Sequence, residues 1–185
     1  MSERKSALLV VDMLNSYDHD DAEKLTPSVE DVVGPISDLI GRAVEGGLDV
    51  IYVNDNYGDW HAAPEEIAER AMRGGRPDLI EPVLPPSDDV PFIIKARHTV
   101  FYGTPLEYLL GQLEINHLVL TGQVTEQCIL YSALDAYVRQ FDVTVPRDAV
   151  AHIHDNLAEA ALEMMETNMD AELSDSSDLE MSPGD

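Results

Sequence analysis

The hydrophobic positions of this chain fall into five short, nearly continuous runs separated by longer segments of mixed polarity. The runs are rich in Val, Ile and Leu and cover residues 7–13, 48–55, 90–96, 117–122 and 141–148. Apolar runs of this length without alternation are typical of strands buried on both faces, as in a parallel sheet. We therefore predict a mainly parallel sheet of five to six strands.

Helical patterns lie between these runs. Apolar residues at helical spacing, together with capping signals at several segment ends, predict helices over residues 28–47, 63–74, 104–115, 125–140 and 156–169. Strands and helices thus alternate along the chain. This alternation favours an α/β domain with right-handed crossovers.

The domain organisation follows from length and composition. The 185 residues suffice for one domain with a substantial core, and we assign residues 1–169 to it. Residues 170–185 are acidic and rich in small side chains, so we predict a disordered tail. A tail that docks on a partner subunit is the alternative.

The charge balance excludes some partners. The chain has 36 acidic and 11 basic residues, a net charge of −25. Such a surface repels nucleic acid and anionic membranes. The strong acidity is either a simple solvated surface or an adaptation to high salt, in which screening removes the self-repulsion. A halophilic protein is expected to be more stable in molar salt than in dilute buffer.

Other features predict a cytoplasmic location. No run of about 18 apolar residues predicts a transmembrane helix, and the N-terminal residues do not resemble a signal peptide. Cys128 is the only cysteine, so neither an intrachain disulfide nor a zinc site built on several thiolates is expected.

Three reactive side chains follow predicted strands. Asp12 ends the first strand, Lys95 ends the third, and the fourth leads through a short loop to Cys128. Taken singly, these are more often a turn former, a solvated lysine and a small buried side chain. Ligands of open parallel sheets bind beyond the carboxyl ends of the strands, so the three together favour a site.

The chemistry of such a site is nucleophilic. A thiol reacts as thiolate, and few thiols with a pKa near 8.5 are ionised at neutral pH. A nearby Lys95 ammonium and the first turn of a helix would both stabilise the thiolate of Cys128. Asp12 can accept the thiol proton and later activate water or protonate a leaving amine.

Three segments resemble the isochorismatase-like cysteine hydrolases. These are ALLVVDMLNSY, IIKARHTVFYGTPLEYLL and LTGQVTEQCILYSALDA, and the resemblance covers residues 6–169. It implies a Rossmann-like, three-layer α/β/α fold and a catalytic triad of Asp12, Lys95 and Cys128. It also implies a cis peptide bond before Val124, with the amides of Val124 and Cys128 directed at an oxyanion.

No metal and no other cofactor is predicted. Nicotinamidases of this superfamily bind a metal through an Asp-x-His motif and a second histidine shortly after it. Here Asp59 and His61 have that spacing, but no second histidine follows before His98. One histidine and one aspartate do not complete a metal site. This departure argues against a nicotinamidase.

The walls of the pocket are predicted only from proximity in sequence. Asn54 and Trp60 follow the second strand, His98 and Phe101 follow Lys95, and Tyr131 lies one helical turn after the cysteine. Aromatic side chains there can stack on a flat amide or ring. Plain packing is the alternative for each.

Three functions remain open at this stage. The leading hypothesis is hydrolysis of a C–N bond in a small amide, carbamoyl or ureide compound through a thioester on Cys128. The second is vinyl-ether hydrolysis of the isochorismatase type, with Asp12 as general acid. The third is a catalytically silent binding or scaffolding protein. The expected partners are a small-molecule substrate and further copies of the chain, as a homodimer or homotetramer.

Overall fold

The computed structural model describes residues 4–182. Its strands are β1 (Ser6–Val11), β2 (Asp49–Asp55), β3 (Phe92–Lys95), β4 (His117–Gln123), β5 (Asp142–Pro146), β6 (Val150–Ala151) and β7 (Glu172–Ser174). Its α-helices are α1 (Ala22–Gly46), α2 (Pro64–Met72), α3 (Pro77–Ile80), α4 (Leu106–Gln112), α5 (Leu130–Val138) and α6 (Asp155–Met169). Every predicted strand and helix is present, with ends shifted by a few residues in most cases.

The strands form one parallel sheet. Their order is β3-β2-β1-β4-β5-β7, and β6 pairs with β4 beside this row. The predicted α/β class and parallel sheet are confirmed, with seven strands among the described residues. The strands that follow β1 in sequence extend the sheet in one direction, and those that follow β4 extend it in the other. The carboxyl ends of β1 and β4 therefore flank the point where ligands bind in sheets of this kind.

Two hydrophobic cores lie on the two faces of the sheet. Successive residues of β1 show this directly, since Leu8 and Val10 pack on one face with α1, α2 and α3. Ala7 and Leu9 pack on the other face with α4, α5 and α6. Because both faces are covered, β1 is apolar at almost every position, which explains why its sequence does not alternate. The result is the expected three-layer arrangement.

Helix α1 begins earlier than predicted, at residue 22 instead of residue 28. Its buried positions continue the same helical spacing backwards, from Val29 to Leu25 and Ala22. Pro27 and Pro35 both lie inside the helix. Tertiary packing of this apolar face therefore outweighs the helix-breaking tendency of the two prolines.

The acidic tail departs from the prediction of disorder over residues 170–182. Strand β7 extends the sheet beside β5, with Thr144 opposite Glu172. The guanidinium of Arg42 donates to the carbonyl oxygens of Ser176 (2.6 Å) and Leu179 (2.8 Å). Met181 is buried, with 6% of its surface exposed. A few apolar anchors and one arginine thus fix a segment whose average composition is that of a disordered tail. Residues 183–185 lie outside the described part of the chain.

No helix within residues 4–182 combines the length and the apolar character needed to cross a membrane.

Candidate active site

Asp12 lies directly after β1 and holds the end of that strand against β2. Its backbone has a left-handed conformation (φ 55°), which aspartate tolerates better than most residues do. Its amide donates to the carbonyl oxygen of Val53 (3.0 Å), and its Oδ1 accepts the amide of Asp55 (2.7 Å). These bonds orient the carboxylate so that Oδ2 lies 2.7 Å from the ammonium of Lys95.

Lys95, at the end of β3, is a fully buried cation. Its side chain is 0% exposed, and its Nζ contacts Asp12, Asp55 Oδ2 (3.5 Å) and Cys128 Sγ (3.6 Å). Burial opposes the charge, but the neighbouring carboxylates outweigh burial and raise the pKa of Lys95 to about 12. The ammonium therefore stays charged at neutral pH and links the carboxylate to the thiol.

Cys128 lies in a π-helical turn (Thr125–Ile129) that leads into α5. The sequence predicted a position near the first turn of a helix, and the π turn precedes α5 directly. The hydroxyl of Thr125 donates to the carbonyl oxygen of Ala151 (2.9 Å), and the hydroxyl of Ser132 donates to that of Cys128 (2.5 Å). Both bonds fix the turn, and Sγ then lies 3.6 Å from Nδ1 of His98.

The electrostatics of the resting site differ from the expected thiolate. Burial raises the pKa of the Cys128 thiol, the carboxylate of Asp12 raises it further, and Lys95 lowers it only in part. Burial also raises the pKa of Asp12, against the opposing effect of Lys95. The thiol is thus protonated at neutral pH, and a base must take its proton before the sulfur can attack.

The predicted oxyanion amides lie on Val124, between β4 and the π turn, and on Cys128 within that turn. The peptide bond between Gln123 and Val124 is cis, as the resemblance implied. Gly122 precedes it with φ 113°, and any side chain there would collide with the backbone of Val11 on β1. Glycine therefore allows the two strand ends to approach. The amide side chain of Gln123 donates to the carbonyl oxygen of Asp12 (2.6 Å) and ties the two loops together.

A cavity of about 320 Å³ opens beside the triad. Asp12, Val124 and Cys128 line it, whereas Lys95 lies beneath. Two imidazoles (His19, His98), the phenol of Tyr57 and several amide side chains form much of the remaining wall. A cavity of this size suits a small molecule with a few polar groups.

Only one of the five predicted pocket residues lines this cavity. His98 does so. Asn54 is buried and bonds the backbone of the loop after β1, and Phe101 is buried and stacks on another phenylalanine. Trp60 is 76% exposed and outside the cavity wall. Tyr131 lies against the ring of His98 and lines a neighbouring cavity of about 430 Å³.

Three residues of the site were missed by sequence reasoning. Asp55 and Gln123 end β2 and β4, so the strand-end rule that selected Asp12 and Lys95 applied to them equally. Tyr57 has no such signal, because a loop conformation with φ 48° brings it to the cavity.

Comparison with known proteins identifies the family. A family model described as the isochorismatase domain matches residues 6–178. The chain belongs to the isochorismatase family. The match includes β7, so the tail strand lies within the matched domain.

The similar proteins with described activities are hydrolases. An uncharacterised isochorismatase family protein of Bacillus subtilis, YaaI, is 37% identical over 173 residues, which cover 94% of this chain and 95% of that protein. Maleamate amidohydrolase of Pseudomonas putida is 30% identical over 167 residues (86% and 78%). The structure of N-carbamoylsarcosine amidase from Thermoplasma acidophilum matches with a TM-score of 0.74 at 28% identity (95% and 99%). This chain is an isochorismatase-family hydrolase.

The residues with metal-ligand spacing do not form a metal site. Asp59 is paired with Arg70 (2.7 Å) and accepts the amide of His61 (3.1 Å). Asp55, at the end of β2, is bound by the ammonium of Lys95 and accepts the amide of Tyr57. Among residues 4–182, no three His, Cys, Asp or Glu side chains are grouped so that they would hold a metal ion.

Proposed function

We propose that this protein hydrolyses a C–N bond in a small amide, carbamoyl or ureide compound through a thioester on Cys128. One observation carries the proposal: a buried ammonium, Lys95, contacts both the Asp12 carboxylate (2.7 Å) and the Cys128 sulfur (3.6 Å) at the wall of a small cavity. A carboxylate with a raised pKa is well suited to exchange a proton with a thiol.

In the first half-reaction, Asp12 accepts the proton of the Cys128 thiol as the sulfur attacks the carbonyl carbon. The C–S bond forms, and the carbonyl π electrons move to oxygen, where the amides of Val124 and Cys128 donate hydrogen bonds. Each such donor contributes about 3 kcal/mol to the transition state in other hydrolases. The C–N bond then breaks, and Asp12 gives its proton to the leaving amine.

In the second half-reaction, the Asp12 carboxylate accepts a proton from water as the water oxygen attacks the thioester. The C–S bond breaks, the carboxylic or carbamic acid leaves, and the sulfur regains a proton from Asp12. Lys95 stays protonated throughout and stabilises whichever group, sulfur or carboxylate, carries the negative charge.

The relatives support C–N bond hydrolysis as the type of reaction. Maleamate amidohydrolase and N-carbamoylsarcosine amidase are both named for this chemistry, as are several relatives described as ureidoacrylate amidohydrolases, one of which is 27% identical over 192 residues. Burial raises the pKa of Asp12, and a raised carboxyl pKa also suits the general acid of a vinyl-ether hydrolase. The test below therefore includes vinyl-ether hydrolysis as the alternative reaction.

The test is a substrate panel with two readouts. Amides, carbamoyl compounds and ureides are assayed for ammonia release, and isochorismate for pyruvate release. We expect ammonia release that Cys128→Ala abolishes, and an acyl adduct on the single cysteine in acid-quenched intact mass spectra. Pyruvate release that survives Cys128→Ala and is lost in Asp12→Asn would instead support the vinyl-ether hydrolase. No turnover of any compound and no adduct would support the silent protein.

We also propose a homo-oligomer. Helix α4 offers part of an apolar surface for a contact between copies, because Tyr108 is 73% exposed, although Leu110 is buried. Exposed apolar side chains continue on α5, where Leu134 and Val138 are 45% and 67% exposed. The net charge of −25 opposes association at low salt. Light scattering across a salt series is expected to show a dimer or larger that loosens as salt is removed, and a monomer at every salt concentration would contradict this proposal.

A further inference from the structure

We infer that the active site accepts amides that carry no anionic group, so that its substrates are neutral or cationic. This inference rests on the proposed amide hydrolysis at Cys128 and concerns the charge of the molecule that reaches it. It follows from the set of charges that face the cavity.

Carboxylates line the cavity beside two imidazoles, and lysine and arginine side chains of the described residues do not line it. Asp12, Asp21 and Asp55 are part of its wall, while none of the described residues that line it is a lysine or an arginine. The carboxylate of Asp55 is partly exposed (29% of its side chain), so it faces an incoming molecule directly.

The nearby cations are already engaged. Lys95 is fully buried and shared between Asp12 and Asp55, so its single charge serves two carboxylates. Lys24 pairs with Asp21 at 3.0 Å. With a neutral thiol, the formal charges of Asp12, Asp55 and Lys95 therefore sum to −1.

Two arginines in neighbouring cavities do not compensate this charge. Arg70 lines an adjacent cavity beyond Tyr57 and is paired with Asp59 at 2.7 Å. Arg97 lines the 430 Å³ cavity on the other side of His98. An anionic group beside the thiol would thus meet Asp55 without a cation of its own, and repulsion between like charges at such short range discriminates strongly.

Charged thiol reagents test this inference without any substrate. The 2-aminoethyl and 2-sulfonatoethyl methanethiosulfonates are similar in size and opposite in charge, and each converts a thiolate into a mixed disulfide with release of methanesulfinate. Because Cys128 is the only cysteine, its labelling is read directly by intact mass. We expect the cation-to-anion rate ratio at Cys128 to exceed that of 2-mercaptoethanol by about tenfold at physiological salt. A ratio equal to or below that of the free thiol would overturn the inference.

A pair of variants separates the cavity from the acidic surface. Asp55→Asn removes the charge that faces the cavity, and Glu163→Gln removes one charge from the exposed surface of α6. We expect Asp55→Asn to lower the normalised ratio by about fivefold and Glu163→Gln to leave it unchanged. Equal effects of the two variants would assign the selectivity to the overall net charge and overturn the assignment to Asp55.

Three amides with the same two-carbon linker extend the test to turnover. Butyramide, β-alaninamide and succinamate differ mainly in the neutral, cationic or anionic group at the far end. We expect kcat/KM for succinamate to be lower than for either of the others by about tenfold.

The outcomes separate the charge inference from the proposed function. If succinamate is hydrolysed best and Cys128→Ala is inactive, the charge inference fails while the proposed function stands. If no amide is hydrolysed and no thioester forms, the proposed function fails and the labelling ratio still decides the charge of the cavity. If Cys128 reacts with neither reagent, the amide panel decides.

Discussion

The two ends of the parallel sheet each carry a compact group of polar side chains, but only one end is suited to catalysis. At the carboxyl end, Asp12, Lys95 and Cys128 form what we term the triad. At the amino end, five side chains form what we term the amino-end cluster: Arg4, Ser6, His117, Thr144 and Glu172. A cavity adjoins each, of about 320 Å³ and 230 Å³ respectively.

The amino-end cluster resembles a hydrolytic dyad by distance alone. The hydroxyl of Ser6 lies 2.7 Å from Nδ1 of His117. However, burial lowers the pKa of His117 to about 4, and the neighbouring Arg4 guanidinium contributes to this shift. The second ring nitrogen, Nε2, lies 2.8 Å from the hydroxyl of Thr144. An imidazole with so low a pKa is a weak base at neutral pH.

Both groups line a cavity, and the difference between them lies in how closely their reactive atoms are bonded to other protein groups. In the amino-end cluster, the imidazole bonds protein groups through both nitrogens, and the network reaches Glu172 on β7. In the triad, the sulfur of Cys128 lies at the wall of the cavity. Its contacts with Lys95 Nζ and His98 Nδ1 are long, at 3.6 Å each. Short distances between reactive side chains therefore do not mark a site unless one of them is left available to a ligand.

The largest effect is expected from removing the sulfur. Cys128→Ala should lower kcat for amide hydrolysis by more than about 10³-fold, because the covalent intermediate is lost. The matched change at the other end is Ser6→Ala, which removes a nucleophile of the amino-end cluster and should leave kcat within about twofold. Thermal unfolding of both variants controls for folding. Loss of activity in Ser6→Ala without loss of stability would mean that the catalytic end has been misassigned.

The next effect concerns the buried cation. Lys95→Met should lower kcat/KM by about 10²-fold and shift the alkylation of Cys128 to higher pH, since the ammonium lowers the thiol pKa. Rates of iodoacetamide labelling between pH 6 and 10 measure this shift. Lys5→Met is the matched control, because that lysine precedes β1 at the opposite end of the sheet. An unchanged labelling profile in Lys95→Met would show that the ammonium does not act on the sulfur.

The triad was predictable from sequence because it obeys a simple geometric rule. Parallel strands bring their carboxyl ends to one edge, so Asp12 after β1, Lys95 at the end of β3 and the turn that follows β4 meet there. The pocket residues Trp60 and Phe101 were chosen by distance along the chain, and loop conformation decides whether such residues turn outward or inward. Asp55 also obeys the strand-end rule, because it ends β2, but the rule was not applied to it.

The amino-end cluster and the tail were not predictable in the same way. Their contacts join segments that are far apart in sequence, such as Arg42 with Ser176, or Asp148 with the amide of Ser176 (2.7 Å). Composition averaged over residues 170–185 reports the acidic residues and hides the anchors Leu173 and Met181. Edge strands as short as β7 carry too few residues for a periodic pattern.

The tail offers the third prediction. Met181 is buried against the core that contains α1, so Met181→Ala should lower the free energy of unfolding by about 3 kcal/mol. Met164→Ala, on the exposed side of α6, is the matched control and should change it little. Urea unfolding followed by circular dichroism measures both. Equal stabilities of the two variants would support the original prediction of a disordered tail. We expect kcat to be unchanged in both variants.

The smallest effect is a pH dependence that belongs to the amino-end cluster. His117 has a pKa of about 4 when folded and about 6.5 when unfolded, so above pH 6.5 the imidazole is neutral in both states. As the pH falls below 6.5, the unfolded chain binds a proton that the folded chain does not, and stability is lost until about pH 4. Between pH 7.5 and 5, protonation of this histidine in the unfolded chain should lower the free energy of unfolding by about 2 kcal/mol.

The variant His117→Gln tests this expectation. It cannot titrate at this position, and its carboxylates are the same as those of the wild type. Urea unfolding at pH 7.5 and pH 5 should therefore show a decrease in unfolding free energy that is about 2 kcal/mol larger in the wild type than in the variant. Equal drops would mean that the imidazole takes up its proton at the same pH in the folded and the unfolded chain. The distinction drawn between Ser6–His117 and the triad would then lose its electrostatic basis.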